Sequence, residues 1–334
     1  MSKYIYLLGA GASYGVRNNA AKGLDKYVAG MPIIGEVKDY LVDYCESFRP
    51  RYHISGVKSE IKHPYVYKEM CWLRDIALDN YTIDTYANML NSTFHIKELQ
   101  RYKRAIAIFF SLIQSREKRD RRYDSFVSHV NDGMGHIKDC ISVFTWNYDR
   151  QIEFALNSFS LSTPSATHQL MLENISCKNF TSRFLKTDVG NIVKLNGTAC
   201  FRDRSDGHMF EESDYDLDVF ERILRENDES WIDGISYAWE EADDFYDKLL
   251  PLTEDTEMLI IIGYSLPYVN SVVDKKLLDG MSNLQSVVIQ DKYPDVVKTR
   301  LKDLLKPDIL QRVENNIRTE NNTDEFFVPI KLFV

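Results

Sequence analysis

Cysteine is scarce in this 334-residue chain, and the five present stand far apart, at 45, 71, 140, 177 and 200. No CxxC pair occurs, which excludes a structural zinc ribbon. The odd count and wide spacing suit free thiols in a reducing cytosol, so a cytoplasmic location is expected. No apolar run approaches the roughly 18 residues that span a bilayer. The opening MSKYIYLLGAGAS is only briefly apolar, is barely basic at its amino end and runs into a glycine-rich turn; it reads as a first β-strand, not a signal peptide. An excess of positive charge is missing too. A net charge of -9 disfavours nonspecific nucleic-acid binding, which needs a basic face. The one basic run, Arg116 to Arg122 (REKRDRR), reads as a solvated helix face. Repeats and low-complexity linkers are absent.

What is present is a set of short, continuous apolar runs: Tyr4–Leu8, Ile141–Trp146, Ile192–Leu195, Met258–Ile262 and Val287–Ile289. Such runs are expected of parallel strands covered on both faces. A sixth, Phe326–Val334, reads as an edge strand broken by Pro329. Between them lie segments with helical spacing at Ile34–Phe48, Ile83–Leu90, Leu99–Ile113, Asp149–Leu156, Leu217–Leu224 and Tyr237–Leu250, with Asp84 as an expected helix cap. The expected class is α/β: a single domain over residues 1–334 on a Rossmann-like parallel sheet. Residues 34–139 form a large helical insertion within it, and 202–255 a second.

Four of the strands end in small or polar residues: GAGAS, NYD, NGT and GYS; the fifth is followed by Gln290-Asp291. Ligands of open α/β sheets bind beyond the carboxyl ends of the strands, so these turns point at one cleft. Gly9-Ala10-Gly11-Ala12-Ser13 allows either close approach of a pyrophosphate or simply a tight turn, and Ser13 could cap a helix. Asn147 and Asp149 after the second strand could likewise cap the helix that follows.

Taken in order, GAGAS near the start, TxNxD at Thr145–Asp149, KL-x-G-T at Lys194–Thr198 and GYSLP at Gly263–Pro267 resemble the sirtuin-like (silent information regulator-like) NAD-binding family. More narrowly they resemble the bacterial sirtuin-like NADase domains of anti-phage defence, as does TIDTYANML around Asp84. The resemblance runs over roughly residues 3–292. It implies that Gly9, Ala10, Gly11 and Ser13 line a pyrophosphate and that Asn147 and Asp149 face the nicotinamide ribose. Gly263 and Ser265 would sit beside the adenosine half, with Gln290 or Asp291 near the adenine ribose and Gly197 completing the NAD site. NAD+ enters as substrate, without a metal.

Two departures qualify it. The four-cysteine zinc module of deacetylating sirtuins is absent, which disfavours deacetylation. At the KL-x-G position the family carries histidine as the presumed catalytic base; here it is Asn196. Asparagine cannot move a proton, so Asp149, His168 or His208 would have to supply a base. The expected activity is an NAD+ glycohydrolase effector, with Asn147, Asp149 and Asn196 as catalytic residues and control by self-assembly or a regulatory partner protein. The alternative is a catalytically silent NAD or ADP-ribose-binding module.

Overall fold

The computed structural model describes residues 3–49, 61–80, 82–116, 118–133, 135–159, 175–177, 190–203, 217–240 and 245–332. The chain divides into two compact units: residues 1–15, 119–198 and 236–334 form the first, and 16–118 with 199–235 the second.

The first unit is built on a seven-stranded sheet in which every neighbouring pair is parallel. Its strands are β1 (Tyr4–Leu8), β2 (Ile141–Thr145), β3 (Ile175–Cys177), β4 (Asn191–Lys194), β5 (Met258–Ile262), β6 (Ser286–Gln290) and β7 (Ile317–Glu320). The spatial order is β7-β6-β5-β1-β2-β4-β3. The chain thus leaves β1 outward on one side and returns to its other side at β5. That reversal makes the carboxyl end of β1 a topological switch point.

Strand residues alternate between two apolar layers. Ile5, Leu7, Phe144, Val193, Leu259, Ile261, Val287 and Ile289 pack into one core. Tyr4, Tyr6, Leu8, Val143, Ile192, Ile260, Ile262 and Val288 pack into the other. The first core takes residues from the helices Phe245–Thr253, Ser271–Gly280, Pro294–Leu304 and Pro307–Val313, and the second from Arg121–Val130 and Gln151–Phe159. Both faces are covered, which is why the five expected runs lack a polar alternation.

Two local expectations are corrected. The segment Phe326–Val334 forms no strand within the described residues; Ile330–Leu332 is a short 3-10 turn, and Phe326 and Leu332 pack as plugs under the sheet. The edge is instead β7, whose sequence IRTE has no apolar run to betray it. The basic run is not simply a solvated face. Arg122 turns inward, forks onto Asp120 (2.6–3.2 Å) and donates to the carbonyls of Ala12 (3.0 Å) and Thr323 (2.9 Å).

The second unit carries the helices Val37–Ser47, Pro64–Asp79, Ile83–Ser92, Ile96–Arg116 and Leu217–Glu226, with two small two-stranded sheets. Glu69 and Arg101 form a two-pronged ion pair (2.9 and 2.8 Å), with the guanidinium 3.7 Å over the Trp72 ring. Glu221 accepts the free amides of Tyr65 and Val66 at the start of Pro64–Asp79, as a helix amino end favours. The helix at 83 is capped by Thr82, whose hydroxyl accepts from the Thr85 amide at 3.1 Å; Asp84 lies inside its first turn.

Candidate functional site

Register settles where the candidate residues stand. Leu8 pairs with Thr145 and with Ile262, Thr145 with Lys194, and Ile262 with Gln290. Five strand ends are therefore level along one edge. Asn147 and Asn196 each follow a register-paired residue by two positions.

At the end of β1, the backbone winds into a 3-10 turn over Ala10–Ser13. Its glycines are used first by the protein itself. The Gly9 amide donates to Ile262 and the Gly11 amide to the Gly263 carbonyl (2.9 Å). A Cβ on Gly9 would lie 2.6 Å from the Tyr264 Cα, and one on Gly11 would lie 2.8 Å from the Gly263 Cα. Gly263 has φ +58°, and a Cβ there would sit 2.2 Å from the Ala12 nitrogen. The turns after β1 and β5 thus press backbone against backbone. The next residue but two, Leu266, also holds a left-handed φ of 51°, a strain of about 1–2 kcal/mol for a residue with a Cβ.

Asn147 is buried and ties the turn after β2 to the turn after β1. Its Nδ2 donates to the Gly9 carbonyl (2.9 Å) and to Ser13 Oγ (3.0 Å). Ser13 Oγ also meets the hydroxyl of Tyr123 at 2.8 Å, so Ser13 is a junction, not a helix cap. Asp149 does cap the following helix, its Oδ1 accepting from the Gln151 amide at 3.0 Å. Burial raises the Asp149 carboxyl above the ordinary range; Lys194, the Ser13 hydroxyl and the Gln151 amide pull it back down, and Glu153 pushes it up.

Lys194 explains how that carboxyl is tolerated. Its side chain is 1% exposed, pairs with the equally buried Glu153 (3.2 Å) and donates to the Asp149 carbonyl. A lysine at the end of the otherwise apolar strand IVKL was a legible signal that the sequence reading passed over. Tyr123 was also missed. Its phenol is fully buried, and burial together with Asp149 raises it far above its usual range.

Asn196 stands at the end of β4, buried, its carbonyl accepting from the Ser236 amide at 2.8 Å. Its Oδ1 is buried with no hydrogen-bond partner among the described residues, and neither has the buried Ser236 Oγ. Two buried polar atoms without partners, on residues joined by a backbone hydrogen bond, are costly unless something completes them. Gly197 follows at φ 75°, a left-handed turn that favours glycine.

The remaining candidates are placed less favourably for a ligand. Gln290 turns its side chain to the carboxyl-terminal segment: Nε2 donates to Asn322 and Glu325, and Oε1 accepts from the Phe327 amide (2.9 Å). Asp291 caps its own turn by accepting from the Tyr293 amide at 2.8 Å. Ser265 is exposed, and its carbonyl holds Arg300 at 2.7 Å. His168 and His208 lie outside the described residues. Among the described residues there is no cluster of three or more His, Cys, Asp or Glu that could hold a metal, and no helix is long and apolar enough to cross a membrane.

No protein-family model matches the chain, and no curated protein matches it. Solved structures do. A Sir2 homologue in complex with NAD matches at 14% identity and a TM-score of 0.38, covering 91% of each chain. Sir2Tm bound to a propionylated peptide matches at 14% identity and TM-score 0.37, over 92% of this chain and 93% of the other. A sirtuin solved for the basis of substrate affinity matches at 14% identity and TM-score 0.37, over 88% and 85%. Likenesses this loose carry no argument about the chemistry of this chain.

Proposed function

We propose that the chain is an NAD+ glycohydrolase, cleaving the bond between nicotinamide and ribose, and that it serves as an effector of anti-phage defence. One observation carries the reading: Asn147, Asp149 and Asn196 stand on level strand ends beside the switch point, and Asn196 presents a buried oxygen with no partner. The order of motifs, GAGAS, TxNxD, KL-x-G-T and GYSLP, supports the narrower assignment to sirtuin-like NADases. A ribose hydroxyl would supply the missing donor to Asn196 Oδ1, and Ser236 Oγ could join it.

The chemistry asks little acid help, because nicotinamide leaves as a neutral group from a cationic ring. It asks for a held ribose, stabilised positive charge in the oxocarbenium-like state and a placed water. Asn147 fixes the turn that faces the ribose. Asp149 offers negative charge, kept ionisable by Lys194. General-base help, worth about 10²–10⁴-fold, is what Asn196 cannot give. Slow turnover is the consequence. Control would rest on self-assembly or a regulatory partner.

A second reading has its own observation. Both amide protons of Asn147 are already bound within the protein, and the histidine position is asparagine, as a silent NAD or ADP-ribose-binding module would permit. Exposing the full chain to NAD+ and resolving the products decides between them. Nicotinamide release that is lost in N147A supports the hydrolase. Binding without release supports the silent module. Absence of both overturns the two readings together.

A further inference from the structure

Strand β1 separates β2 from β5, so no ladder bond joins the turns that follow those two strands. They lie two strand spacings apart, about 9–10 Å. Each is tied to the turn after β1, and a direct link between the two has to come from side chains. Trp146, immediately before Asn147, and Tyr264, immediately after Gly263, stack across the gap with ring centroids 6.0 Å apart and planes inclined 22°. Under them, on the helix Ser271–Gly280, sits the 1%-exposed Asp274. One of its oxygens accepts from Trp146 Nε1 at 3.2 Å and the other from the Tyr264 hydroxyl at 2.7 Å. Asn270 Nδ2 donates to the same hydroxyl at 3.0 Å.

We propose that Asp274 is a positioning residue that clamps the Trp146–Asp149 turn to the Gly263–Ser265 turn and so fixes the spacing of the strand ends on either side of β1. Its consequence for a ligand rests on the NAD+ reading above; its structural part does not. A buried carboxyl without a cation is expensive, and apolar packing would serve stability better. What a carboxylate adds here is two acceptors on one rigid plane, one for each turn.

The clamp is tight only when Asp274 is ionised. An indole can only donate, so a protonated Asp274 must carry its proton on the oxygen facing Tyr264. That hydroxyl would then accept from both Asp274 and Asn270, and its own proton would lose its acceptor. Burial pushes the Asp274 carboxyl up to about 7, against the two hydrogen bonds that favour the ion. The titratable groups near it are the Tyr264 hydroxyl and, from the helix Phe245–Thr253, the Tyr246 hydroxyl, which donates to the Leu195 carbonyl (3.2 Å) and which the charge of Asp274 helps to raise. Lys276, on the helix Ser271–Gly280 with Asp274, is engaged with Asp247 of Phe245–Thr253 (2.6 Å), and Arg300 on Pro294–Leu304 with the Ser265 carbonyl.

Indole fluorescence followed from acid to alkaline pH tests it. The wild type is expected to show a transition with a midpoint near 7 that is absent from D274N and from W146F, with far-UV circular dichroism unchanged. A transition that persists in D274N, or none in the wild type, overturns the clamp. If D274N fails to fold, Y264F keeps the ring and removes only the hydroxyl; its midpoint should rise, and an unmoved midpoint overturns the proposal. Isothermal titration with NAD+ then reads the function. D274N should bind about tenfold more weakly at alkaline pH, the loss of one hydrogen bond to a charged group, and its affinity should no longer vary with pH. Affinity equal to wild type at every pH overturns the positioning role. A wild type that does not bind NAD+ sinks the NAD+ reading, while the fluorescence titration still decides the clamp.

Discussion

Asn147 commits both amide protons to Gly9 and Ser13, so its removal unties two strand-end turns at once. Under the hydrolase reading N147A should lose nicotinamide release, and under either reading it should lose about 1–3 kcal/mol of stability, from buried acceptors left unpaired. The urea midpoint reads the second effect separately from the first. N196H makes the opposite change. It places an imidazole where an orphaned oxygen now sits, and under the hydrolase reading it should raise the rate of nicotinamide release about 10²–10⁴-fold. An unchanged rate would mean that the base comes from elsewhere. Gly263 tolerates no side chain, since its φ of +58° and the Ala12 nitrogen at 2.2 Å both forbid one. G263A should cost roughly 2–4 kcal/mol by thermal or chemical denaturation. Of these three residues the sequence marked all as candidates. It could not say that the glycines clear space for each other, because that contact joins residues 252 positions apart.

At the scale of elements, the pair Lys194–Glu153 couples β4 to the helix Gln151–Phe159 beneath the Asp149 turn. K194M leaves Glu153 buried without its cation and should cost about 3–5 kcal/mol, while K194M with E153L should recover most of it. Equal losses in single and double variants, measured by urea denaturation, would show that the pair is not the coupling. The five central strands were legible because each carries its own apolar run, whereas the sheet-covering helices Ser271–Gly280, Pro294–Leu304 and Pro307–Val313 were not among the expected elements. The edge strands β3 and β7 were not legible either. An edge strand needs less apolar surface, and IRTE has none of the continuity that marked the centre. The cap at Thr82 was read two residues late, at Asp84. Both are good amino-end residues, and only the backbone shows which of them stands outside the helix.

For the whole molecule, a buried carboxyl sets the response to pH. Asp274, raised to about 7, holds in the folded state a proton that the unfolded chain releases at about 4. Between those values the folded state binds more protons than the unfolded one, so stability falls as pH rises from about 4 to about 7 and then levels. D274N should flatten that slope by up to about 1.4 kcal/mol per pH unit within the window. Urea midpoints across the range check it, and a slope as steep as wild type would remove Asp274 from the account.

Local chemistry alone determined the α/β class, the five central strands and the polar residues at their ends, since apolar continuity and turn residues are written along the chain. Tertiary structure decided the rest. It chose the strand order that puts β1 at a switch point and levelled five strand ends in register. It pressed Gly11 against Gly263, and it sank Lys194 and Asp274 beneath turns remote from them in sequence. Burial is the physical reason. The cost of a desolvated charge or an orphaned oxygen depends on what the fold brings beside it, and no window of sequence contains both partners.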